Sequence, residues 1–285
     1  MSIDRRQNLS PRDFVREYLS PLRPVILTDS TSAWAALRKW TPEFFGERYG
    51  GLEVNIDGCA MAMRELIARV LVSSPERPAP YLHNQLLAQW PPELLADVTP
   101  LPLCTQPNWL ENPFFPARQS LKYFEVYIGG RGATFPVLHY DGLHTHAVIM
   151  QIYGQKEFWV YPPEQSPFMY PRAGTEANMS LVNDVEDPDL GRFPLFAQAR
   201  ATRFVLNPGE SLFVPAGWWH TTRLLSATIS VSVNSANAAN WRDFRRDFCA
   251  GIARDRGSLR ARLTGVYLTL LGWVLSTLEM LECFL

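Results

Sequence analysis

From Leu121 onward the chain breaks into short β-rich runs separated by Gly, Pro and Asn. That texture constrains the fold more than any other feature. The runs are KYFEVYIGG, VLHYD, HAVIMQIYG, KEFWVYPP, TRFVLNPGE, SLFVPAG and TISVSVN. Short runs of β-branched and aromatic residues at regular spacing predict an antiparallel sandwich or barrel. The preceding residues read differently. Ser10 and Pro11 suit the start of a helix reaching about Tyr18, RPVILTD reads as a short strand, TPEFFGERYG as a capped helix ending in glycine, and LEVNIDG as another strand. Residues 61–100 read as mostly helical, broken by SSPERPAPY, and residues 241–285 return to helix. The expected architecture is mostly β with flanking helices. It comprises an N-terminal α/β region over residues 1–120 that packs on the barrel, a β core over 121–237, and a C-terminal helical region over 238–285.

With 285 residues, 47% of them apolar and 19% charged, the chain can bury a substantial core. The net charge of −1 gives no bulk electrostatic reason to bind nucleic acid or a membrane surface. Cys59, Cys104, Cys249 and Cys283 are far apart and form no zinc-site spacing. The N-terminus has no apolar segment of signal-peptide type, so a cytoplasmic location is expected. Near the C-terminus, Leu263 to Leu278 is uncharged, but these 16 residues fall short of the roughly 20 that span a bilayer. No membrane span is expected. Leu263, Val266, Tyr267, Leu270, Leu271, Val274, Leu275, Leu278 and Leu281 follow helical periodicity. Leu268, Trp273, Met280 and Phe284 lie off that stripe, so the helix is apolar on more than one side. Burial in the chain's own core, a homodimer interface and a membrane anchor all fit that pattern.

Three of the five histidines fall in LHYDGLHTHAVIM, with Asp141 among them. His139 and Asp141, two residues apart at a strand end, point the same way and can supply two adjacent metal ligands. His220 follows the turn in NPGESLFVPAGWWH and is the candidate third ligand. Two histidines and one carboxylate with open positions opposite form the facial arrangement of non-haem Fe(II) oxygenases. A second signal is basic-residue usage. Among 27 basic residues only Lys39, Lys122 and Lys156 are lysines, and Lys156 opens the apolar strand KEFWVY. A lysine there calls for an anionic partner, or else reaches solvent from the strand edge.

The stretch from Tyr123 to Asn234 resembles the JmjC-type, cupin-like 2-oxoglutarate-dependent oxygenases. The segments HYD, IYGQKEFWVYPPEQ, NDVEDPDLGRFPLF and LNPGESLFVPAGWWH carry the likeness, and Gly209, Pro215, Gly217 and His220 have the spacing of the second cupin motif. RPVILTDSTSAWAALRKWTPEFFGERYG extends it, so that it covers most of residues 12–237. Within the family the chain is similar to small hydroxylases, such as the asparaginyl hydroxylase of hypoxia-inducible factor, rather than to multidomain histone demethylases. The resemblance implies a double-stranded β-helix (jelly-roll) core and Fe(II) held by His139, Asp141 and His220. It implies that Lys156 anchors the distal carboxylate of 2-oxoglutarate. Asn234 matches an asparagine near the co-substrate, Ser232 shares its strand face, and Tyr81 matches a tyrosine on the distal carboxylate.

The chain also departs from the family pattern. Where many relatives place a threonine three residues before the first histidine, this chain has Pro136, and the nearest threonine is Thr134. No asparagine lies between Asp141 and Lys156, where relatives hold the C1 carboxylate. The segment offers His144, Thr145 and His146 instead. The implied activity is a dioxygenase using O₂ to hydroxylate a side chain of a protein or peptide. A small molecule, free amino acid or modified nucleoside as substrate, N-methyl demethylation, and a non-catalytic cupin-like binding protein remain as alternatives. The aromatics and arginines of FFPARQ, FMYPRAG and GWWH are expected either in ordinary packing or around a substrate groove at the barrel mouth.

Overall fold

The computed structural model describes residues 2–116 and 124–284, with side chains described to Glu279. The boundary at residues 120/121, Lys122 and the side chains of Met280, Leu281 and Phe284 lie outside the described residues. The strands are β1 (Asp4–Arg6), β2 (Val25–Leu27), β3 (Glu53–Ile56), β4 (Cys59–Ala62), β5 (Leu82–Leu86) and β6 (Glu125–Gly129). They continue with β7 (His146–Tyr153), β8 (Lys156–Tyr161), β9 (Thr202–Leu206), β10 (Ser211–Val214), β11 (Trp219–Leu224) and β12 (Thr228–Ser235). The helices are α1 (Pro11–Phe14), α2 (Ala36–Lys39), α3 (Pro42–Arg48), α4 (Met63–Leu71), α5 (Pro92–Asp97), α6 (Trp241–Arg256) and α7 (Ser258–Phe284).

Two sheets form the jelly-roll core. The larger runs β1-β2-β10-β7-β12-β6-β5 and the smaller β11-β8-β9, while β3 and β4 make a separate hairpin. The larger sheet is covered on its outer face by the N-terminal helices. Val148, Met150 and Ile152 of β7 and Ile229, Val231 and Val233 of β12 join Phe14, Trp34, Trp40, Phe45 and Met63 there. The opposite residues of the same strands face the space between the sheets. At one end that space is filled by Ile26, Ala147, Phe158, Val160, Leu206, Leu212, Val214 and Trp218. β8 and β10 are buried along their whole length, as expected of strands covered on both faces.

The helix starts follow the sequence. Ser10 and Thr41 accept hydrogen bonds from the amides of Asp13 and Phe44, each with proline at the first helical position. Two segments differ from expectation. Leu82–Leu86, read as part of a helical region, pairs with β6 as the edge strand of the large sheet. With β1 and β2, it means that the N-terminal region contributes strands to this sheet as well as packing on it. VLHYD forms no regular strand, only isolated bridges through His139.

Helix α7 also differs in which side it buries. Leu268, Leu271 and Leu275 pack with Trp109, Phe115, Trp241 and Phe244, and Trp241 Nε1 donates to the Leu268 carbonyl at 2.9 Å. Most of the anticipated stripe, including Leu263, Val266, Tyr267, Leu270, Val274 and Leu278, is exposed. By length and composition alone, the 22 residues Ser258–Glu279 suffice to cross a membrane, which the uncharged run by itself does not.

Gly154, in the tight β7–β8 connection, has φ +68°, and a Cβ there would lie 1.8 Å from the Ala227 carbonyl oxygen. Gly154→Ala is expected to destabilise the fold by at least roughly 2 kcal/mol, from left-handed backbone and steric overlap together. Chemical denaturation monitored by near-UV circular dichroism checks this; an unchanged midpoint would remove the strain argument.

Candidate active site

The two histidines of the triad are brought together by backbone pairing. His139 N donates to His220 O at 3.1 Å and His220 N donates to His139 O at 2.6 Å. This reciprocal pair sets the imidazoles side by side, with ring centroids 4.4 Å apart. Each ring is oriented by a carbonyl two residues upstream. His139 Nδ1 lies 3.1 Å from Val137 O and His220 Nδ1 3.0 Å from Trp218 O. With Nδ1–H donating outward, the Nε2 lone pairs face the cavity. Burial, then the neighbouring His220, lowers the His139 pKa to about 3, so the ring stays neutral, as a metal ligand requires.

Asp141 immediately precedes a tight turn, Gly142–His144. Its Oδ2 is 3.7 Å from His220 Nε2. One potential ligand atom from each of the three residues lies within 4.8 Å of the others. Two imidazole nitrogens and a carboxylate oxygen, converging at the wall of a cavity of about 580 Å³, fit a divalent transition metal with open positions. Asn234 Nδ2 donates to Thr145 Oγ1 at 2.8 Å and lies 3.4 Å from Asp141 Oδ1, steadying this carboxylate.

The cavity extends to Lys156, which is 2% exposed. Its Nζ donates to Tyr81 Oη at 2.8 Å and Ser230 Oγ at 2.5 Å, and lies over the rings of Tyr81 and Tyr127. These contacts contain no anion, and burial lowers its pKa to about 7. Nearby, Thr222 Oγ1 is buried, lines the cavity and has no hydrogen-bond partner among the described residues. A buried ammonium without an anion, a tyrosine hydroxyl and an unsatisfied threonine hydroxyl together suit a carboxylate.

Tyr81, Ser232 and Asn234 line the same cavity as Lys156 and the triad. Thr134 and His146 do not. Thr134 is exposed and bridges Arg223, while Phe135 takes the wall position and stacks on His139 with centroids 4.7 Å apart. His146 is fully buried on the outward face of β7, where its Nδ1 accepts from Ala216 N at 3.0 Å and its Nε2 lies 3.4 Å from Asn237 Oδ1. Strand parity explains the correction, because Ala147 and Ile149, not His146, face the cavity. His144 pairs with Asp247 at 2.5 Å and does not line the cavity. Ser230, Thr222 and Tyr127 were not anticipated. Ser230 and Thr222 were within reach of period-two counting from Ser232 and His220; Tyr127 required the β6–β12 register. Trp218 and Trp219 are buried, whereas Arg172 of FMYPRAG does line the cavity.

Replacing Lys156 by methionine is expected to stabilise the ligand-free protein by roughly 1–3 kcal/mol near neutral pH. Since burial lowers the folded-state pKa from 10.5 to about 7, the unfolded chain holds more protons between those values. The lysine's penalty is therefore full below pH 7 and fades as pH rises towards 10.5. Thermal melts across that range check both sign and slope; a variant less stable at every pH would contradict the reading.

Residues 11–238 match the family described as the cupin-like domain. Lysine-specific demethylase JMJ21 of Arabidopsis thaliana is 28% identical over 271 residues, covering 92% of this chain and 28% of the relative. Lysine-specific demethylase 8 of Xenopus tropicalis is 28% identical over 232 residues, covering 77% and 49%. The human bifunctional peptidase and (3S)-lysyl hydroxylase JMJD7 is 25% identical over 264 residues, covering 78% and 80%. The chain thus spans less than two thirds of the first two relatives and most of the third. With the jelly-roll core, the converging triad and these relatives together, the chain belongs to the cupin-like domain family, with a core of the JmjC type.

Proposed function

We propose that the chain is an Fe(II)- and 2-oxoglutarate-dependent dioxygenase that hydroxylates a side chain of a protein or peptide. The observation that carries this reading is the placement, in one cavity, of the His139–Asp141–His220 triad and of Lys156, which has no anionic partner among the described residues. When bound, the iron and 2-oxoglutarate supply, with O₂, an oxidant that hydroxylates a C–H bond as the co-substrate is converted to succinate and CO₂.

The chain's own residues bind and orient. His139, Asp141 and His220 would hold the metal, their angles set by Val137 O, Trp218 O and the Asn234 amide. Lys156, Tyr81 and Thr222 would take the far carboxylate of 2-oxoglutarate, and Ser232 lines the wall beside it. Phe135, Val137, Ile149 and Phe158 limit water on the apolar walls. A second reading, N-methyl demethylation, is supported by the lysine-specific demethylases among the relatives. It shares the C–H hydroxylation step and differs in releasing formaldehyde.

Succinate formation from 2-oxoglutarate with Fe(II), with and without cell extract, tests the reading against a non-catalytic binding protein. His139→Ala and Asp141→Ala are expected to abolish it, and wild-type rates in either would remove that residue from the ligand set. Mass spectrometry for a gain of one oxygen atom, on peptide and metabolite pools separately, distinguishes the substrate classes, and a formaldehyde assay reads demethylation.

A pH dependence follows from Lys156. Its ammonium form binds 2-oxoglutarate, and in the free protein that form declines above about pH 7. Apparent affinity is therefore expected to be highest at and below neutral pH and to fall by up to about tenfold per unit above it. Lys156→Ala should weaken binding and flatten this slope. A pH-independent affinity in the parent protein would rule out the anchor role.

A further inference from the structure

Of the described residues lining the cavity, only Asp141 and Glu125 carry carboxylates. Asp141 belongs to the triad, whereas Glu125, on β6, has no assigned task. Its Oε2 accepts a hydrogen bond from Tyr127 Oη at 2.7 Å, and no cation pairs with it among the described residues. The three most deeply buried carboxylates, by contrast, each have a cation. Asp97 has Lys39 at 2.6 Å, Glu210 has Arg5 at 3.0 Å, and Glu157 has Arg203 and Arg223 at 2.5 and 2.9 Å. Burial raises the Glu125 pKa; the Tyr127 hydrogen bond offsets part of that, and the charge of Asp141 adds to it. A half-buried carboxylate without a cation is costly unless its partner arrives with a ligand.

The surroundings suit a cation. Tyr127 and Phe135 supply aromatic walls, and the Asn84 side chain reaches the Tyr127 hydroxyl at 3.2 Å. Glu125 stands opposite Ser232 in the β6–β12 register, two residues from Asn234, whose amide steadies Asp141. The cations already in the cavity are engaged elsewhere. Lys156 is held by Tyr81 and Ser230, and Arg172 by the Ser180 carbonyl and Glu176.

We propose that Glu125 is the specificity-determining residue of this cavity, binding a cationic group of the substrate, an ammonium or guanidinium, and holding it beside the metal triad. This rests on the oxygenase reading and narrows its substrate to basic side chains or the corresponding free amino acids.

Two measurements test it. The first is stimulation of 2-oxoglutarate turnover by short blocked peptides centred on lysine or arginine, by free lysine and arginine, and by the neutral isosteres norleucine and citrulline in the same peptides. Cationic compounds are expected to stimulate and neutral ones not, and the peptide and free arms separate the two sources. Glu125→Gln, which keeps an acceptor for Tyr127, should raise KM for the cationic compound roughly tenfold to a hundredfold. Glu125→Asp should recover part of that loss. The second measurement is ligand-observed NMR of the same compounds on protein loaded with Zn(II) and 2-oxoglutarate, which needs no turnover. Binding lost in Glu125→Gln supports the proposal even in a chain without oxygenase activity. Equal binding of cationic and neutral compounds, no binding of either, or wild-type binding in Glu125→Gln overturns it. A variant that instead raises the KM for 2-oxoglutarate alone would make Glu125 a support for Tyr127 and also overturn it. Absent turnover with intact cation binding counts against the oxygenase reading only.

Discussion

The site depends on one reciprocal pair of backbone hydrogen bonds, between His139 and His220. Residues far apart in the chain are paired backbone to backbone, so their imidazoles cannot separate without breaking two amide hydrogen bonds. The carbonyls of Val137 and Trp218 then fix ring rotation. Only Asp141 remains to be placed, and the turn from Gly142 to His144 and the amide of Asn234 do so. The geometry of the candidate triad is therefore mostly backbone geometry: His220 sits on β11, and these bonds pin the irregular segment carrying His139 and Asp141 to that strand.

A second constraint is the inverted character of β12. Its apolar residues, Ile229, Val231 and Val233, face outward into a core shared with the N-terminal helices. Its polar residues, Ser230, Ser232 and Asn234, face inward. Most sheets put their hydroxyls towards water; here the helices supply the dry layer and the space between the sheets is left for polar chemistry. That arrangement makes a buried lysine tolerable, because Ser230 and Tyr81 solvate its ammonium while the cavity leaves room for an anion.

Much of this was legible in advance. Alternation along TISVSVN placed Ser232 and Asn234 on one face, and the two-residue spacing of His139 and Asp141 aimed them together. The scarcity of lysine made Lys156 conspicuous. Other features were not legible, for identifiable reasons. His146 lies close to the triad in sequence, but one residue of strand parity turns it to the outer face, where it ties β7 to the turn before His220. Leu82–Leu86 has no strong strand pattern and is extended because the β6 edge offers it a partner. In α7 the helical period marked several apolar sides alike, and contact with Trp109, Phe115 and Trp241 selected Leu268, Leu271 and Leu275.

The amino-acid sequence by itself determined the strand-rich core, the helix starts at Ser10 and Thr41, and the residue types able to hold a metal and a carboxylate. These follow from local rules of side-chain alternation, capping and the cost of burying charge. Only the tertiary structure decided which candidates meet. It joined His139 to His220, closed Tyr81 and Ser230 around Lys156, turned His146 away, and left Glu125 in the cavity without a cation among the described residues. Those outcomes depend on register between strands distant in the chain, which local sequence does not encode.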